Sequence, residues 1–107
     1  MDTIKKHKDF QMPEDGPRAI TDFFIARARP TMFESGRYGL IATKRTFRHA
    51  VDRNRAKRLL RAWIRECAGD MGDAADFVFI ARTAILAAKL QEGVALMKKA
   101  IKKLKTK

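Results

Sequence analysis

Residues 50–66 read AVDRNRAKRLLRAWIRE, and five arginines and one lysine crowd into that stretch. These residue types suit phosphate. Arginine presents a planar fork of donors and a flat face that stacks on bases. Asn54 adds an amide able to meet a sugar or base edge. On a helical wheel over residues 51–67, Asn54, Arg55, Lys57, Arg58, Arg61 and Arg65 gather on one side, and Ala56, Leu59, Leu60, Trp63, Ile64 and Cys67 on the other. Arg53 strays toward the apolar side, but in the first turn, where it can reach past the helix end. An ordinary solvated face mixes signs, because Glu–Lys pairs help a helix and like charges oppose it. Here only Asp52 and Glu66 stand near the two ends. The cationic face is therefore expected to meet a polyanion rather than water.

Other reactive side chains offer less. His7 and His49 are far apart with no ligand spacing around them, so they read as surface or nucleic-acid-facing histidines rather than zinc ligands. Cys67 falls on the apolar side of the charged helix and reads as core rather than nucleophile. Asp70, Asp73 and Asp76 alternate with Gly69 and Gly72 and read as turn-formers rather than metal ligands. The sequence offers no catalytic dyad, and no cofactor or metal bound by the protein is expected.

The elements that must carry the cationic face can be read around it. A short helix is expected over 3–11, with Ile4 and Phe10 on one face, ending before Pro13. MPEDGPRA is turn material. ITDFFIARARP reads as a strand with Phe24, Ala26 and Ala28 on one face and Phe23, Ile25, Arg27 and Arg29 on the other. A second strand is expected from Arg37 to about Arg45. After the charged helix, AGDMGDAAD is a connector, and Phe77–Ile80 form an apolar run typical of a strand buried on both faces. Leu90, Val94, Met97, Ile101 and Leu104 recur at helical spacing, with lysines opposite and Gly93 as a weak point. The order predicts an α+β fold, one domain over 1–107, with a small sheet layered against about three helices.

Composition agrees with the partner. The chain has 107 residues, 24 Lys and Arg against 12 Asp and Glu, a net charge of +12 and 46% hydrophobic residues. It is too apolar for a disordered basic tail and basic enough to favour nucleic acid. MDTIKKHKDF has no apolar centre, no run approaches membrane-spanning length, and one cysteine excludes an intrachain disulfide. A reduced, cytoplasmic setting is expected.

AVDRNRAKRLLR closely resembles the A-x-x-R-N-R-x-K-R-x-x-R signature of the protein subunit of bacterial ribonuclease P. Its neighbours match in order: IKKHKDF (4–10) is similar to the family's first helix, RYGLIATKR (37–45) to a strand ending in two basic residues, and FVFIAR (77–82) to its last strand. The resemblance covers most of the chain and is weakest at 11–22 and 84–107. It implies a mixed four-stranded sheet with a left-handed βαβ crossover, where general handedness rules favour the right-handed one.

The resemblance also implies a role beside a catalytic RNA, which removes the 5′ leader of precursor tRNA with Mg2+. Arg53, Asn54, Arg55, Lys57, Arg58 and Arg61 would contact the RNA subunit, with Lys44, Arg45 and Arg65 extending the patch. Phe10 would stack on leader bases in a cleft between first helix and sheet; packing of that helix is its alternative. Pro13 and Glu14 stand where a second family aromatic is usual, and Ala26 near another, so Phe24 is the candidate substitute. The competing reading is a ribosomal or general RNA-binding protein using the same helix, which leaves the flanking matches unexplained. A DNA-binding regulator lacks a helix-turn-helix partner upstream, and a membrane-surface helix would spend an apolar face the core needs.

Overall fold

The computed structural model describes residues 2–105. Five strands and two α-helices follow the order β1 (Asp2–Thr3), β2 (Arg18–Ile20), β3 (Phe24–Pro30), β4 (Arg37–Ile41), α1 (Ala50–Met71), β5 (Ala75–Ala81) and α2 (Leu90–Lys105). Single 3-10 turns at His7–Phe10 and Thr83–Ala87 complete it. The sheet order is β1-β4-β5-β3-β2, with β5 central, parallel to β4 and antiparallel to β3. The α+β architecture is as expected. The sheet has four longer strands plus the two-residue β1, and the α-helices number two rather than three.

The missing helix is the one expected over 3–11. Ile4 is buried and its N–H donates to the Tyr38 carbonyl oxygen at 2.7 Å, because the edge of β4 offers this extended segment backbone partners. Only the turn His7–Phe10 remains helical before Pro13. Two further boundaries move. The strand at 37–45 stops at Ile41, since Thr43 folds the chain into a turn by accepting from the Thr46 N–H at 3.2 Å. The strand begun at Ile20 is split: the Thr21 hydroxyl oxygen accepts from the Phe24 N–H at 3.0 Å, giving a bend between β2 and β3.

Alternation along β3 places Phe24, Ala26 and Ala28 against the helices, where they meet Phe77 and Phe79 of β5. Ala56, Leu60, Trp63, Ile64, Cys67 and Met71 of α1 and Met97, Ala100, Ile101 and Leu104 of α2 close this core. Cys67 is indeed core, and burial pushes its thiol pKa up. Helix α1 continues beyond 67 through Met71 and ends at Gly72, whose φ of 68° needs glycine. Lys105 Nζ donates to the Asp70 carbonyl oxygen at 2.7 Å, tying the ends of the helices together. At the start of α2 the Glu92 carboxylate accepts from the Lys89 N–H at 2.8 Å. Among the described residues, no helix is long and apolar enough to cross a membrane.

Candidate nucleic-acid interface

Packing of α1 decides what its other side can do. With Leu60, Trp63 and Ile64 buried, Asn54, Arg55, Arg58, Arg61 and Arg65 are turned outward and exposed. Asn54, Arg58, Arg61 and Arg65 line one shallow depression of about 340 Å³ with Ala62. None of Arg55, Arg58, Arg61 and Arg65 has an acidic partner among the described residues. They form a ridge of cations on a rigid rod, which can bind a phosphate backbone through forked contacts.

The remaining basic positions divide. Lys44 and Arg45 are exposed on the turn after β4, held by the Thr43–Thr46 hydrogen bonds and anchored by the buried Phe47. Lys57 is half-buried beside the ridge. Arg53 turns back: its Nη1 donates to the carbonyl oxygens of Phe47 at 2.9 Å and Arg48 at 3.3 Å. It thus fixes the loop entering α1. His49 precedes the helix and is exposed; the side chain of His7 lies outside the described ones.

A second surface lies on the sheet face away from the helices. Register puts Arg37, Gly39 and Ile41 of β4, Asp76, Val78 and Ile80 of β5, and Ile25, Arg27 and Arg29 of β3 on this face. The 7–14 segment crosses it. Phe10 lies directly over Gly39, where an added Cβ would sit 2.4 Å from the ring, so only glycine admits the ring there. Arg29 donates to the carbonyl oxygens of Gln11 at 2.7 Å and Asp9 at 2.9 Å, and Arg27 donates to that of Pro13. Phe10 is half-buried, so its ring combines packing with partial exposure.

Phe24 does not face the cleft, contrary to the expectation. It is fully buried on the helix side, edge-on to Phe79 at 5.7 Å and beside Trp63 at 6.1 Å. A residue of that parity cannot face a cleft on the opposite side of the sheet. Phe23 also leaves its expected face, because the bend before β3 carries it to Trp63 at 5.9 Å.

Asp76 is the residue the sequence reading missed. It is a buried carboxylate of β5, not a turn-former. It accepts from the Arg37 N–H at 3.0 Å and Arg37 Nη2 at 3.1 Å, with Arg29 Nη2 at 3.5 Å. Burial alone would raise its pKa, but the hydrogen bonds from Arg37 and Thr31 outweigh burial and hold it below the ordinary value. The same pairing raises the pKa of Arg37. Alternation back from Val78 places Asp76 on the face of Arg29, the signal that could have found it.

The family model described as Ribonuclease P matches residues 1–105. The chain is 39% identical over 70 residues to the ribonuclease P protein component of Methylococcus capsulatus, covering 65% of this chain and 54% of that protein. It is 35% identical over 91 residues to the component of Syntrophomonas wolfei, covering 81% of this chain and 76% of that one. The first of these alignments therefore spans about half the relative's length. The solved RNase P protein of Staphylococcus aureus matches with a TM-score of 0.80 at 23% identity, covering 98% of this chain and 96% of that one. That of Thermotoga maritima gives 0.70 at 17%, covering 88% and 86%. At these identities the structures speak for the fold, and the sequence matches for the lineage. The chain belongs to the ribonuclease P protein family.

Proposed function

We propose that this chain is the protein subunit of ribonuclease P, binding the catalytic RNA subunit and the 5′ leader of precursor tRNA during endonucleolytic leader removal. The observation that carries this reading is the exposed α1 ridge of Arg55, Arg58, Arg61 and Arg65, without acidic partners among the described residues and presented by a helix whose other side is core. Lys44, Arg45, Asn54 and Lys57 extend the same patch, and Arg53 supports it from within by holding the 47–48 loop. Phe10, seated on Gly39, is the leader-stacking residue.

Bond cleavage belongs to the RNA in this reading, together with its Mg2+. Among the described residues no group of three or more His, Cys, Asp or Glu side chains could hold a metal ion. The protein's part is electrostatic: a body of charge +12 offsets repulsion between two polyanions. Family membership supports a left-handed β4–α1–β5 crossover and action in the cytoplasm. Mixing the protein with a bacterial ribonuclease P RNA and precursor tRNA tests the reading. Release of the 5′ leader at low ionic strength, dependent on the protein, is the expected result. An RNA-binding protein of another kind would bind both RNAs and leave cleavage unchanged.

A further inference from the structure

Between β3 and β4 the chain exposes two large apolar side chains in succession, Met32 at 93% and Phe33 at 58%. Phe33 is not adrift. The Arg37 guanidinium lies over its ring, 4.2 Å from the centroid, while more than half of the residue stays in solvent. Arg37 is itself fixed from beneath by Asp76 at 3.1 Å and Asp9 at 3.3 Å. The ring is therefore backed by a guanidinium that cannot readily move. Phe33, Arg37, Lys5, Lys6, Thr3 and Asp9 line one open depression of about 320 Å³. Both lysines are exposed and neither is paired with an acid among the described residues. The acid present, Asp9, is already engaged by Arg37.

We propose that Phe33 is a second base-stacking platform for single-stranded RNA, with Lys5 and Lys6 taking the adjoining phosphates. A rigid, cation-backed ring with an open side suits any base, since every base has a π-face. Arg37 and Gly39 stand two positions apart on one face of β4, a rise of roughly 7 Å. Phe10 covers Gly39 and Phe33 lies against Arg37, so the two rings mark neighbouring positions along β4 that one RNA strand would meet in turn. The inference rests on the leader-binding reading and extends it: the base at Phe33 belongs to a part of the leader beyond the one at Phe10.

The test uses the full chain and two probes, decauridylate and an abasic decamer with the same phosphates. The F33W variant places an exposed indole at the site, while native Trp63 is buried and serves as background in the wild type. Decauridylate should quench the added emission and the abasic decamer should quench it far less. F33A should keep the wild-type melting temperature and bind decauridylate at least about fivefold more weakly, with abasic binding unchanged. In the reconstituted enzyme, F33A should weaken precursor tRNA with a long leader and spare one whose leader stops short of the site. Equal quenching by both probes, or F33A binding within twofold of wild type, would overturn the proposal. So would equal weakening of both precursors, which would assign Phe33 to the RNA subunit. A dimer lost in F33A with oligonucleotide binding intact would make Phe33 a protein contact instead and equally overturn it. The oligonucleotide arm needs no RNA subunit, so a failed ribonuclease reading would appear as absent cleavage beside intact base-dependent quenching.

Discussion

Trp63 lies so close to Gly93 that a Cβ added there would stand 1.9 Å from indole Cε2. The absence of a side chain at Gly93 is what lets α2 approach α1 over the largest side chain of the core. Gly93→Ala should therefore destabilise the protein by about 1–3 kcal/mol despite the better helix propensity of alanine. Gly69→Ala is the matched control: it lies within α1 with nothing within 4 Å of the new methyl, and should gain up to about 1 kcal/mol. Urea midpoints of the two variants should move in opposite directions.

Asp76→Asn should cost about 3–5 kcal/mol near neutral pH, because it leaves Arg37 without its buried carboxylate. The Asp76 pKa is depressed in the fold, so its contribution is complete above the ordinary value of 3.8 and fades as pH falls through the lower folded value. Denaturation at pH 7 and at strongly acid pH checks the sign. The gap between wild type and variant should shrink on acidification; a gap that widened would contradict the pairing.

Phe10 and Phe24 separate cleft from core. Phe24→Ala should cost about 3–5 kcal/mol of stability, since the ring is fully buried. Phe10→Ala should weaken precursor tRNA relative to mature tRNA in the assembled enzyme by about 1–3 kcal/mol. Equal loss for both RNAs would make Phe10 only a packing residue.

On the ridge, Arg58→Ala and Arg61→Ala should each weaken binding to the RNA subunit and reduce the log–log salt slope by roughly 0.7–0.9 per lost phosphate contact. Arg53→Ala should act differently, lowering the melting temperature by freeing the 47–48 loop. Titrations over a salt series, paired with thermal melts, distinguish the two behaviours.

How far the sequence carries is visible in particular residues. The two faces of α1 were legible because the helix packs on the core along its length, so 3.6-residue periodicity maps onto burial from Ala56 to Cys67. The parity of β3 was equally legible: it groups Phe24 with Ala26 and Ala28, and that face is the one the structure buries. Phe24 shares that parity and so cannot stand in for a cleft aromatic. Segment 3–11 reads as a helix only on local grounds, whereas the pairing of Ile4 with Tyr38 across the sheet edge is a long-range contact. Asp76 was hidden for the same reason: its partners Arg29 and Arg37 are remote in sequence, and a neighbouring Asp/Gly run imitates a turn. Gly93 reads locally as a weak point of the helix, and its reason, the Trp63 ring in the space of a Cβ, lies on another element.

The central claim is that this protein assists an RNA that does the chemistry, and a salt and magnesium titration of precursor-tRNA cleavage, with and without the protein, tests it most directly. The RNA alone should regain activity at high salt and high magnesium, and the protein should matter most at low ionic strength, where its +12 charge is least screened. Cleavage by nuclease-treated protein alone, or a benefit from the protein that grows with salt, would contradict it.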